Sequence, residues 1–149
     1  MRSSVESVEV QVFVSFIRAH SSVVRALDRE LVADHGLTIN DYEVLLRLAR
    51  APDRMMRRVD LAQQVLLTPS GITRLLDGLQ RCGYVEKEAC ATDARVVYAK
   101  LTDAGREKLK SATTEHVASI RAMFGERFSE EELRTLCDFL ERLHPEASD

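Results

Sequence analysis

The stretch from residue 61 to residue 101 constrains the fold more than any other part of the chain. Leu61, Ala62 and Val65 make a short helical run that breaks at Leu66-Leu67. A second helix opens at Thr68-Pro69-Ser70-Gly71-Ile72-Thr73-Arg74. Thr68 is a good N-cap, and Pro69 suits the first helical position, where its missing N–H would have had no intrahelical partner. Ile72, Leu75, Leu76 and Leu79 recur at three- and four-residue steps and must face a core. Two strands are expected next, at residues 84–88 and 96–101, with the polar tip Ala91-Thr92-Asp93-Ala94-Arg95 between them.

Helix, turn, helix and then a two-stranded ribbon is the order of a winged helix, which reads the major groove of DNA with its second helix. The core-facing residues leave Ser70, Thr73, Arg74 and Asp77 as a polar stripe on that helix. Arg74 can give two parallel hydrogen bonds to guanine O6 and N7, the hydroxyls of Ser70 and Thr73 can reach phosphates or base edges, and Gly71 permits close approach. The competing reading of this helix taken alone is an ordinary amphipathic surface helix. The ribbon favours the first reading: Arg95 stands at its tip, Asp93 before it can hold the guanidinium extended, and an arginine on a protruding hairpin suits a narrow minor groove. Residues 54–100 carry eight Lys or Arg and five Asp or Glu, a net charge of +3, in a chain whose total is -3, so the remainder carries -6. A basic middle between acidic flanks is the footprint of local phosphate contact.

Four blocks, Thr68-Pro69-Ser70-Gly71-Ile72-Thr73-Arg74-Leu75, Gly83-Tyr84-Val85, Asp93-x-Arg95 and Leu101-Thr102-x-x-Gly105, resemble in order and spacing the MarR family of transcription regulators. The resemblance implies a mainly α winged helix-turn-helix with a small β-hairpin wing. Residues 37–105 would form the DNA-binding region, and residues 1–36 and 106–149 a helical dimerisation region. It further implies a homodimer on a pseudo-palindromic operator of double-stranded DNA, acting as a repressor until a small molecule or an oxidant releases it. Thr68, Pro69, Ser70, Gly71, Thr73 and Arg74 would then meet the major groove, and Asp93 and Arg95 the minor groove. This chain departs from the family pattern at three places. Val59 precedes Asp60 where a Ser or Thr cap is usual, so Asp60 or water is expected to cap that helix. Leu66 replaces a usual Gly in the turn, whose backbone should differ slightly. Gly78 stands on the exposed side of the reading helix, where a charged residue is usual.

The flanks read as helices. Residues 4 to about 34 carry Val8, Val12, Phe16, Val23 or Val24, Leu27 and Leu31 at helical steps, although Val8, Val10, Val12, Val14 and Phe16 also alternate like a strand. The helical period continues through Leu31 without a turn residue, so a helix is expected, ended by Gly36. So long a stripe needs a second copy of the chain to cover it. Thr38 and Asp41 form a capping box for a helix running to about Arg50, and Ala51-Pro52-Asp53 is a loop. Arg54, Arg57 and Arg58 come next, a basic cluster that either touches phosphates or is a solvated turn. After Thr102 a helix carries Leu109, Ala112, Val117, Ile120 and Phe124. Phe128 lies in a break, and Ser129 with Glu132 caps a last helix bearing Leu133, Leu136, Cys137, Leu140 and Leu143 before Pro145.

Length and 45% hydrophobic content allow one compact domain or two small intertwined ones. No apolar run approaches the ~20 residues that span a bilayer, and residues 1–9 lack the layout of a signal peptide, so a cytoplasmic protein is expected. Catalysis has no visible address: G-x-S-x-G, G-x-x-x-x-G-K and H-E-x-x-H are absent, and no cofactor is implied. His20, His35, His116 and His144 are scattered, which argues against a metal site. Three cysteines without C-x-x-C spacing read as reduced thiols, Cys82 and Cys90 being candidates for a redox switch because they flank the reader. A small-molecule effector is the better regulatory expectation, with His20, Tyr42 and His116 as polar contacts in the family's pocket. Two rivals remain: a redox- or metal-responsive regulator of the same fold, and a helical protein-interaction dimer that does not bind DNA.

Overall fold

The helical period of the N-terminal valines prevails over their alternation: α1 runs as one helix over Val8–His35. The structure is a computed structural model and describes residues 7–144. The expected helix start at residue 4 and the stop at Pro145 lie outside the described residues. Ser7 caps α1 by accepting from the Val10 N–H at 3.4 Å. Gly36 stops it with φ 65, its N–H turned back to the carbonyls of Leu31 and Val32, a left-handed step that glycine takes without strain. Leu27 and Leu31 are buried, whereas Val8, Val12, Phe13, Phe16 and Ile17 stay exposed.

The chain divides into two compact units between Thr113 and Thr114. In the first, α2 (Ile39–Arg50) starts from the expected capping box: Asp41 N–H donates to Thr38 Oγ1 at 3.0 Å, and Thr38 N–H donates to Asp41 Oδ2 at 2.9 Å. Asp28 of α1 accepts from the Ile39 N–H at 2.8 Å and fixes the corner between the two helices. Val44, Leu45 and Leu48 of α2 form the centre of the core with Leu61, Ile72, Leu76, Val85 and Leu101, all fully buried. Tyr42 is buried with them, its hydroxyl 3.1 Å from Thr113 Oγ1.

The wing has one strand more than the sequence suggests. After a 3-10 turn at Pro52–Arg54, β1 (Met55–Arg57) pairs antiparallel with β3 (Val97–Leu101), which pairs on its other side with β2 (Val85–Ala89), giving the order β1-β3-β2. Three residues carry no period that could announce β1; its partners Tyr98, Ala99 and Lys100 create it. Both hairpin strands begin one residue later than expected. Tyr84 is drawn instead into the end of the helix before it, its N–H bonded to the Leu79 carbonyl at 3.0 Å across Gly83, whose φ is 78.

α3 (Arg58–Gln64) and α4 (Pro69–Arg81) form the helix-turn-helix. Asp60 does not cap α3. Arg57 occupies the cap position without a side-chain bond, and the Asp60 carboxylate is engaged by the Arg57 guanidinium at 2.8 and 3.1 Å. At the turn, Leu66 has φ 55, a left-handed conformation that costs a residue with a side chain about 1–2 kcal/mol. α4 has the expected cap: Thr68 Oγ1 accepts from the Gly71 N–H at 3.0 Å, with Pro69 at the first helical position. Within α4 a Cβ on Gly78 would meet nothing nearer than Arg81 Nη2 at 4.0 Å. Gly78→Ala should therefore raise stability by up to ~1 kcal/mol in denaturant melts, by removing the entropy that glycine loses in a helix.

α5 (Asp103–Gly125) begins in the first unit and ends in the second. Thr102 caps it, accepting from the Gly105 N–H at 3.0 Å while donating to the Gly83 carbonyl at 2.6 Å. Leu109 and Ala112 are buried. In the second unit Phe128 lies in the break, and α6 (Glu130–Glu141) starts from the Ser129–Glu132 capping box. No residue of α6 is buried, and Phe139, Leu140 and Leu143 are exposed. Among the described residues no helix is long and apolar enough to cross a membrane.

Candidate nucleic-acid interface

The outward face of α4 is set by its inward one. With Ile72, Leu76 and Leu79 buried, Ser70 and Arg74 are exposed and Thr73 and Asp77 half-exposed. These side chains differ in how far they are already committed. Ser70 Oγ lies 3.3 Å from the capping Thr68 Oγ1, and the Thr73 hydroxyl donates to the Pro69 carbonyl at 2.9 Å, which leaves its oxygen as an acceptor. Asp77 is committed to the Lys87 ammonium of β2. The hydrogen bond from Lys87 is the largest cause holding its carboxyl below the ordinary value, with Arg81 and Arg58 adding charge. Arg74 makes no hydrogen bond or ion pair among the described residues. Gly71 leaves the cap its room, since a Cβ there would stand 3.0 Å from Thr68 Oγ1.

At the wing tip the chain turns back where the Cys90 N–H meets the Val96 carbonyl and the Val96 N–H the Asp93 carbonyl, each at 3.1 Å. Asp93 Oδ1 accepts from the Arg95 backbone N–H at 3.0 Å and lies 3.4 Å from Arg95 Nε. The carboxylate thus holds both the backbone and the guanidinium of Arg95, whose side chain remains 94% exposed. Cys90 Sγ sits 3.2 Å from Thr92 Oγ1. That hydroxyl first, then backbone N–H groups of Thr92 and Asp93, hold the thiol below its ordinary pKa against burial and the Asp93 charge. Thr92 is a partner that the sequence did not single out, because a hydrogen bond rather than a cation lowers the thiol. Cys82 is exposed at the end of α4.

The basic cluster before α3 is partly paired. Arg57 is engaged with Asp60, and Arg54 reaches Asp103 at 3.1 Å, while Arg58 bears on Asp77 through its charge. The three residues expected to line an effector pocket are dispersed in character: His20 is exposed on α1, Tyr42 is buried, and His116 belongs to the second unit. A shallow surface depression of about 520 Å³ lies along α1, lined by Ile17, Ser21, Arg25 and Arg29 among others. Among the described residues no three His, Cys, Asp or Glu side chains gather as a metal would require.

Comparison with known proteins gives this geometry a family. The profile described as the MarR family matches residues 35–96. The chain is 28% identical over 145 residues to the HTH-type transcriptional repressor YetL of Bacillus subtilis, covering 95% of this chain and 86% of that one. It is 27% identical to the HTH-type transcriptional regulator MhqR of the same species, covering 90% of each. Among solved structures it is similar to Sco3205 of Streptomyces coelicolor, a MarR family transcriptional regulator solved in complex with DNA. That match has 30% identity and a TM-score of 0.84, covering 96% of this chain and 90% of that one. AbsC of Streptomyces coelicolor is similar at 27% identity and a TM-score of 0.82, covering 93% and 94%. With a match at 30% identity along nearly its whole length, the chain belongs to the MarR family of transcriptional regulators.

Proposed function

We propose that this regulator is a homodimeric repressor that binds double-stranded DNA at a pseudo-palindromic operator and acts by binding, without a catalytic step. The observation that carries the reading is Arg74, an exposed guanidinium without a partner among the described residues, on the polar face of a well-capped helix. Such a group is free to take guanine O6 and N7 without giving up a bond inside the protein. Thr68, Pro69, Ser70 and Gly71 bring the start of α4 close to the groove wall, and Thr73 offers an acceptor there. Arg95, aligned by Asp93, enters the flanking minor groove. Arg57 and Arg58 face phosphates, Arg57 exchanging its hold on Asp60 for the DNA backbone. Sco3205, with which this chain shares its fold, was solved on DNA, and YetL is named a repressor.

Residues 1–36 and 106–149 serve as the dimerisation region in this reading. Support comes from the exposed apolar side chains of α1 and α6, which a second copy would cover. The chain works in the cytoplasm, together with the DNA it binds. An effector releases it by binding one spacing of the two α4 helices better than the other, and no affinity of equal strength for both would do so.

The test is fluorescence anisotropy on DNA from upstream of the gene, titrated at several salt concentrations. Phosphate contact by two readers predicts a loss of affinity on the order of a thousandfold between 50 and 200 mM salt. An affinity indifferent to salt, or no preference for any sequence, would leave the protein-interaction dimer as the better account.

A further inference from the structure

Leu66 is 90% exposed, more than any other large apolar residue among those described. It is also one of three described non-glycine residues with positive φ, beside Asp53 and Arg54. Its neighbours Val65 and Leu67 both pack against the core. The left-handed step at residue 66 therefore joins α3 to α4 while throwing the Leu66 side chain outward. Glycine would make the same step without strain. The side chain thus costs the fold something and buries little in return, and strain of this kind persists at functional positions. It stands two residues before the cap of α4, beside Thr68, Pro69 and Ser70, at the end of the helix assigned to the groove.

We infer that Leu66 is a DNA-contacting residue, its isobutyl group packing on an apolar part of the operator at the edge of the groove that α4 enters. DNA offers two such surfaces, the thymine C5-methyl group and the carbons of deoxyribose. The inference rests on the DNA-binding reading above and adds to it a contact that is neither ionic nor hydrogen-bonded.

Three variants separate the contact from the turn: Leu66→Gly, Leu66→Asn and Leu66→Met. Asn tolerates the left-handed backbone as Gly does, but without Gly's flexibility. Affinity for the operator, measured by anisotropy, should fall about tenfold for both Gly and Asn, as expected for losing one half-buried leucine per reader. Their Tm should stay level or rise by roughly 2–4 °C. Leu66→Met, which keeps an apolar chain and the strain, should restore most of the affinity. An operator with uracil in place of thymine identifies the surface. If the methyl group is the contact, uracil weakens the wild type and leaves Leu66→Gly unchanged; if deoxyribose is, uracil changes neither. Wild-type affinity in both Gly and Asn variants overturns the contact. Loss in Gly with retention in Asn also overturns it, since the turn's stiffness would then be what matters. A wild-type chain that ignores DNA at low salt overturns the DNA reading itself, and the contact with it.

Discussion

Gly105→Ala should lower the Tm by roughly 5–10 °C, corresponding to about 2–3 kcal/mol of overpacking in a chain of this size. A Cβ at residue 105 would lie 2.1 Å from the Tyr84 carbonyl oxygen and 2.8 Å from Leu101 Cδ1. The first of these is backbone and cannot swing aside. It is also engaged, because the Tyr84 carbonyl accepts from the Thr102 N–H at 3.1 Å while Thr102 Oγ1 holds the Gly83 carbonyl. One methyl group would therefore push the start of α5 away from the α4–β2 corner and strain both bonds. The same chemical change at Gly78 meets open space and is expected to have the opposite sign. Thermal melts of the two alanine variants side by side provide the check, and similar shifts in both would refute the distinction.

Arg74→Ala and Arg95→Ala should damage DNA binding in different ways. Loss of a bidentate guanine contact relaxes the preference at one base of each half-site, worth about 1–3 kcal/mol per contact. A dimer presents two such contacts, so the operator-specific affinity should fall by a factor on the order of a hundred or more while binding to random DNA barely moves. Arg95→Ala removes a phosphate-lined groove contact instead. It should weaken binding on nearly all sequences and reduce the slope of log affinity against log salt by about one per wing. Anisotropy on the operator and on scrambled DNA, each at several salt concentrations, gives both quantities. A uniform loss for Arg74→Ala or a base-specific one for Arg95→Ala would exchange their assigned roles.

What can be read from the sequence is what neighbours in the chain decide. The caps at Thr38, Thr68 and Ser129 and the stop at Gly36 are legible because each needs only a side chain and the N–H groups within three or four residues of it. The strand β1 is not legible, since its three residues become a strand only by lying along β3, more than forty residues away. Asp60 reads as a cap in sequence because the helix is expected to begin after it; α3 begins instead at Arg58, which places Asp60 inside the first turn, where Arg57 engages its carboxylate. Asp77 falls in a free polar stripe for a related reason: periodicity gives the face a residue occupies, and its partner Lys87 comes from the strand after the turn. At Leu66 the departure from glycine is visible, but its combination of positive φ and near-complete exposure needs the backbone.

The Asp77–Lys87 bridge ties the helix assigned to one groove to the hairpin assigned to the other. A mutation at Asp77 that created a new base preference would also untether the hairpin. Drift towards a new target site is therefore harder by that route than through Arg74, whose replacement disturbs no hydrogen bond or ion pair among the described residues. Descendants of this chain that acquire new target genes should change residue 74 first and keep the Asp–Lys pair.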